Sequence, residues 1–283
     1  MTRSTDAVAA SQDPQEDEWP DEPKLGALRT LIAYHELIRS LTFRDIRARY
    51  KQSILGVAWA LIQPLALTIV YTVVFSVIVR VETGGIPYPI FSYIALLPWT
   101  FFSGALTTST ESLVANFNLV TKIYFPRETF PIAGILGKMV DLGLGVLVLV
   151  PLFIVYHIHL TWWLLIAPVV LLVQICLLLG LAFLLSGINV IYRDIRHVLP
   201  LVLQVWMYLT PIIYRLEDVP KQYLSIYMLN PMVSVMDSFR KVALMGRPPD
   251  WLHLGISAAV AVAVLVFGYR VFKRLEPVFA ELI

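Results

Sequence analysis

The sequence predicts an all-α membrane protein with six transmembrane helices, and three observations support this prediction. Six long apolar runs, almost free of charge, fill most of the chain. Hydrophobic residues make up 58% of the 283 residues and charged residues only 15%, whereas soluble domains contain about 25% charged residues. Lys and Arg cluster directly before the first apolar run. Together these features are typical of a chain whose surface mostly faces lipid.

Each apolar run is near or above the roughly 20 residues that a helix needs to cross about 30 Å of hydrocarbon. The runs are Ile54–Val79, Ile90–Val114, Phe130–Tyr156, Trp162–Ile191, Val198–Tyr214 and Leu252–Phe272. They leave no room for a large soluble domain. We therefore divide the chain into a tail (residues 1–24), an interface segment (residues 25–51) and a six-helix transmembrane domain (residues 52–283).

The positive charges predict that both termini lie in the cytoplasm. Short cytoplasmic segments are enriched in Lys and Arg, and most of these residues fall on the inner segments if the termini are inside. The four that weigh most precede the first span: Arg44, Arg47, Arg49 and Lys51. The net charge of +2 is too small to indicate a nucleic-acid partner.

Residues 1–24 are acidic and lack apolar periodicity, which predicts a disordered tail. Residues 25–51 carry apolar residues at helical spacing, which predicts an amphipathic helix in the inner membrane interface. Near its end, Arg44, Arg47 and Lys51 share one helix face. These cations either anchor the helix to anionic lipid or form a docking site for a phosphate-bearing lipid substrate.

Three further segments carry polar or aromatic residues that invite a functional interpretation. Residues 116–131 predict a short helix that ends before Pro126, either an interfacial loop or a knob that docks into a soluble partner. Lys138 and Asp141 lie within the third span at a spacing that allows an ion pair, which is structural or lines a polar path. Residues 215–250 predict two short outer helices, the second capped by Asn230, which form a re-entrant or interfacial pair and at the simplest a membrane-surface lid.

Motifs for chemistry are missing from the sequence. A G-x-x-x-x-G-K-[ST] motif does not occur, so we expect no ATP site in this chain. His157 and His159 are too few ligands for zinc, and no catalytic Ser-His-Asp set can be assigned. We expect no catalytic residue, cofactor or metal here, and a half-transporter that dimerises and takes energy from a partner.

Three sequence blocks together resemble the permeases of ABC-2 type transporters over about residues 25–283. The first is RDIRARYKQSILGVAWALIQPL (Arg44–Leu65), and the second is KIYFPRETFP (Lys122–Pro131). The third consists of YLTPIIY (Tyr208–Tyr214) and LNPMVSVMDSFRKV (Leu229–Val242). The nearest subgroup is the permeases that export polysaccharides of the O-antigen, capsule, teichoic acid or galactan type.

The resemblance implies a homodimer bound to two ABC ATPase subunits, which would hold ATP and Mg, in the bacterial plasma (inner) membrane. The implied substrate is a polysaccharide linked to a polyprenyl diphosphate and moved outward. Arg44, Arg47 and Lys51 would lie at the entrance for the diphosphate.

The resemblance also assigns roles to the inner and outer segments. The coupling helix that contacts the ATPase would contain Phe117, Leu119, Val120, Lys122, Ile123 and Tyr124. The short outer helices would form a gate that includes Tyr214, Tyr227, Asn230, Pro231 and Phe239. Two alternatives stay open: an ABC-2 permease for a drug or lipid, and a membrane enzyme acting on polyprenyl phosphates.

Overall fold

The computed structural model describes residues 33–51, 55–117, 119 and 126–282, with only the backbone at 57 and 280–282. Within these ranges every regular element is a helix, which confirms the all-α prediction. The acidic tail and the first part of the interface segment, residues 25–32, lie outside the described residues.

Helix α1 (His35–Tyr50) is the described part of the interface helix. Its apolar residues Ile38 and Leu41 are buried, and Leu41 belongs to a cluster that also contains Phe130 and Phe272. Arg39, Arg44, Arg47 and Lys51 lie on another, open face of the helix. Burial of one apolar stripe is what amphipathic spacing predicts.

Among the described residues, five helices are long and apolar enough to cross a membrane, and the chain is a multi-pass membrane protein. Helix α2 (Trp59–Tyr71) continues into a π-helical turn (Thr72–Ile78), and α3 (Tyr88–Ala115) follows it. The others are α4 (Thr129–Val155), α5 (Ala167–Ile191, after the 3₁₀ turn Trp162–Ile166) and α9 (Trp251–Leu282).

The predicted fifth run forms a helix shorter than the five membrane-length spans. Helix α6 (Ile195–Tyr208) has 14 residues, about 21 Å at 1.5 Å per residue, and residues 209–214 form turns. Alone it does not reach across about 30 Å of hydrocarbon. The total of six spans and the N-in, C-in orientation stay predictions.

Helix α3 forms the centre of the bundle, since 78% of its most apolar 18-residue stretch is buried. Polar side chains tie it to its neighbours: Tyr93 donates a hydrogen bond to the Gly145 carbonyl of α4 at 2.9 Å, and Gln174 of α5 donates to the Pro98 carbonyl at 2.7 Å. Such interhelical bonds satisfy polar groups away from water.

Helices α5 and α9 pack with their backbones in close contact at two glycines. A Cβ atom at Gly180 would lie 2.6 Å from the backbone of Leu265, and a Cβ at Gly268 would overlap the backbone of Gly180. Small residues permit this approach between membrane helices. The two helices therefore form one closely packed pair.

The two short helices predicted for residues 215–250 are present in the structure. Helix α7 (Lys221–Tyr227) follows Pro220, and α8 (Pro231–Arg240) continues into a π-helical turn (Lys241–Met245). The Asn230 side chain accepts a hydrogen bond from the Met232 amide at 3.1 Å, which caps α8. Gly246 ends the segment in the left-handed region at φ 59°, a conformation that glycine adopts without strain.

Candidate functional site

One face of α1 forms an open basic groove of about 620 Å³. Its cationic lining residues are Arg39, Arg44, Arg47 and Lys51. This brings together the three residues that the sequence proposes for a diphosphate and adds a fourth. Clustered guanidinium and ammonium groups suit phosphate oxygens.

Arg44 also connects α1 with the end of α3. Its guanidinium contacts Asp45 at 3.0 Å and donates to the Asn116 side-chain oxygen at 2.5 Å. The Asn116 amide in turn donates to the Ser112 carbonyl of α3 at 2.8 Å. The charge of Arg44 is therefore partly engaged by its own helix neighbour and by α3.

Asp141 of α4 binds side chains from both its own helix and α1. Lys138 lies 3.2 Å away and Arg49 lies 2.8 Å away, while the Tyr50 hydroxyl donates to it at 2.6 Å. Burial, followed by the hydrogen bond to Asp141, raises the pKa of Tyr50 to about 12. Sequence reasoning found the Lys138–Asp141 spacing but missed Arg49 and Tyr50, which lie more than 90 residues away along the chain.

A small polar cavity of about 140 Å³ lies beside this cluster, between α2, α3 and α4. Gln63, Thr100, Ser103, Lys138 and Asp141 are among its lining residues. At about 30 Å³ of liquid volume per water, it has space for several water molecules. Ionisable side chains at this depth of a membrane bundle are commonly found facing such polar space.

Only two of the predicted coupling residues lie in the described part of the chain. Phe117 is 37% exposed, and Leu119 packs against an apolar cluster containing Leu113 and Phe130. The other four, Val120, Lys122, Ile123 and Tyr124, fall outside the described residues.

The residues that follow this segment bind the last helix. Glu128 is 5% exposed, and its Oε1 atom lies 2.6 Å from Nζ of Lys273 and accepts from the Tyr269 hydroxyl at 3.3 Å. Lys273 also pairs with Glu276 at 2.8 Å. The sequence alone does not indicate this pair, because pairing across 145 positions has no local signal.

The predicted outer-gate residues connect the short outer helices with the end of α6. The hydroxyls of Tyr214 and Tyr227 share a hydrogen bond. The Asn230 side-chain oxygen accepts from Trp206 at 3.0 Å, and its amide donates to Thr210 at 3.1 Å. Pro231 begins α8, and Phe239 packs against the main core.

Arg240 is a further residue of this region, and the sequence alone did not single it out. It is 3% exposed, and its guanidinium donates to the carbonyls of Pro211, Ile212 and Tyr214. It lies over the Phe91 ring, 3.8 Å from the centroid. Burial lowers the pKa of Arg240 to about 10, so it stays cationic at neutral pH.

Apolar helices, an interface helix and a pair of short outer helices together define a multi-pass helical membrane protein. Residues 36–244 match the ABC-2 type transporter family, and the chain belongs to that family. Within the described residues, His, Cys, Asp and Glu form no group of three or more that could hold a metal ion.

Curated relatives of the chain are permeases of polysaccharide transport. The chain is 32% identical over 256 residues to the O-antigen export system permease protein RfbA of Myxococcus xanthus, covering 90% of this chain and 98% of that protein. It is 27% identical to the protein of the same name from Klebsiella pneumoniae, covering 88% and 95%. It is 24% identical to the polysialic acid transport protein KpsM of Escherichia coli, covering 84% and 93%.

Proposed function

We propose that this chain is the permease subunit of an ABC exporter in the bacterial plasma membrane. A homodimer would bind two ATPase subunits, which supply ATP and Mg. It would move a polysaccharide linked to a polyprenyl diphosphate from the cytoplasm to the outer side. The observation that carries this proposal is the similarity to O-antigen export permeases over 90% of the chain.

The basic groove on α1 supports a phosphate-bearing substrate. A diphosphate cannot enter hydrocarbon unaided, because an unpaired charge there costs several kcal/mol or more. Arg47 and Lys51 lie in the groove with Arg39 and Arg44, on a helix that the sequence places at the inner interface. Cations at that depth would lower the barrier to entry of the diphosphate.

The position of residues 117–124 supports their role as the coupling segment. The segment follows α3, and residues 127–128 beyond it bind α9. Force applied to the segment by an ATPase would therefore reach two membrane helices. At the opposite end, contacts of Asn230 and Tyr227 with the end of α6 support a gate that opens when those contacts change.

The Lys138–Asp141 pair and its cavity have a supporting role in this proposal. Because Arg49 and Tyr50 of α1 also bind Asp141, the pair would hold the interface helix against α4. In this proposal its main role is structural, and the cavity supplies polar space beside the bundle.

Two measurements test the proposal. Depletion of the chain should remove the polysaccharide from the cell surface while the lipid-linked glycan accumulates in the cytoplasmic leaflet. The solubilised protein should co-purify with an ABC ATPase. Normal surface polysaccharide after depletion would instead indicate a permease for a drug or another lipid, and a protein that never binds an ATPase would contradict the whole proposal.

A further inference from the structure

We infer that Glu128 is a positioning residue that fixes the chain just after the coupling segment onto the last membrane helix, through an ion pair between its buried carboxylate and the partly exposed Lys273. The inference rests on the proposed function, which assigns residues 117–124 to the contact with an ATPase. It concerns Arg127 and Glu128, which come shortly after that segment, and states which contact makes them necessary for export.

The burial of Glu128 makes its position depend on its partners. The residue is 5% exposed, and one carboxylate oxygen contacts Lys273 and Tyr269. The second oxygen, Oε2, is buried without a hydrogen-bond partner among the described residues. Burial of a carboxylate is costly unless a nearby cation compensates for the lost hydration, so the contact with Lys273 at 2.6 Å determines where Glu128 lies.

The neighbouring residue binds the same face of α9. The Arg127 guanidinium donates to the backbone carbonyl of Glu276 and lies 5.8 Å from the centroid of the Phe279 ring. Residues three or four positions apart share one face of a helix, as Lys273 and Glu276 do here. Arg127 and Glu128, just after the coupling segment, are thus both attached to one face of α9.

Close packing of α9 extends this attachment into the membrane. At Gly268 and Gly180, α9 and α5 are in backbone contact, so a displacement of one helix meets the other directly. Coupling between distant sites is carried by packed side chains and stiff elements that move together. Movement of residues 127–128 would therefore displace α9 and, through the backbone contact, α5 as well.

Substitutions in the complete exporter test this inference. Glu128→Gln and Lys273→Gln should each lower surface polysaccharide on the order of tenfold, while the amount of chain in the membrane and ATP hydrolysis by the purified complex change little. The matched control is Glu111→Gln, which neutralises an exposed carboxylate at the end of α3 and should export as the wild type does.

A charge exchange separates positioning from general stability. Glu128→Lys combined with Lys273→Glu reverses the pair and keeps one cation and two carboxylates in the group, because Glu276 remains beside position 273. The double variant should recover most of the lost export. Wild-type export by Glu128→Gln would overturn the inference, as would a double variant that accumulates but exports no better than the single variants, or one that restores neither amount nor export.

These outcomes are distinct from failure of the proposed function. If the wild-type complex itself neither hydrolyses ATP nor supports surface polysaccharide, the proposed function is wrong. If the wild-type complex does both and the variants behave as the wild type does, only the role of Glu128 is wrong.

Discussion

Replacement of Asp141 by Asn should loosen the attachment of the interface helix to α4. Asn keeps the shape and one acceptor for Tyr50 but removes the only negative charge that Arg49 and Lys138 contact in the described structure. Two cations would then lie close together without compensation. The substitution isolates charge from size, because the two side chains are nearly isosteric.

The expected cost follows from the exposure of the three charged side chains. A hydrogen bond to a charged group contributes about 1.5–3 kcal/mol, and loss of one partner of a fully buried pair costs about 3–5 kcal/mol. Here Arg49, Lys138 and Asp141 are 27%, 24% and 18% exposed, so water screens part of the interaction. We expect the free energy of unfolding to fall by about 2–3 kcal/mol.

Thermal unfolding of the detergent-solubilised protein, followed by circular dichroism, measures this loss. An unfolding entropy of roughly 2.1 cal/mol/K per residue gives about 0.6 kcal/mol/K for 283 residues. The melting temperature of Asp141→Asn should therefore fall by about 3–5 °C. Arg49→Gln should cause about half that decrease, because Lys138 and Tyr50 remain bound to Asp141.

Asp218→Asn is the matched control, because Asp218 is 36% exposed and pairs with Arg215 at the surface. Exposed pairs contribute about 0–1 kcal/mol, so its melting temperature should change by less than about 2 °C. If Asp141→Asn melts within that same range, the ion cluster does not hold α1 and the reasoning is refuted.

Three further predictions concern the coupling segment, the basic groove and the helix packing. Phe117→Asp should abolish export but leave the chain in the membrane, measured by surface polysaccharide and an immunoblot of membranes; normal export would contradict the coupling assignment. Arg44→Glu with Arg47→Glu should reduce export more than membrane insertion, because the groove loses its attraction for phosphate; an equal loss of both would favour the anchoring interpretation. Gly268→Ala should lower the amount of folded chain, because overpacking costs about 1–3 kcal/mol. Gly255→Ala is the control and should not lower it, since no atom lies within 4 Å of the added Cβ. Equal amounts of the two variants would argue against the close packing.

Local sequence signals predicted much of this architecture. Hydropathy and length located five membrane helices, and proline and asparagine at positions 220 and 230 located the starts of the short outer helices. Spacing alone was enough to place Lys138 beside Asp141. In each case the information lies within a few residues of the element it determines.

Contacts between distant parts of the chain could not be predicted in this way. Helix α6 ends at Tyr208 although the apolar run continues to Tyr214. Hydropathy reports only that these residues are apolar. It does not show that the carbonyls of residues 211, 212 and 214 accept hydrogen bonds from Arg240. Arg49 was read as a topology signal, and its contact with Asp141 depends on how α1 packs on α4. A single sequence does not indicate which residues far apart along the chain are in contact.

The guanidinium of Arg240 allows the buried chain after α6 to leave helical geometry, because it binds three of the carbonyls there. Backbone carbonyls released from a helix need new donors wherever solvent is excluded. A planar fork with five N–H groups supplies several donors at fixed angles, which a lysine ammonium on its flexible stem does not reproduce. Residues 211–213 can therefore remain non-helical while buried, because the arginine supplies donors that water normally provides to an irregular stretch.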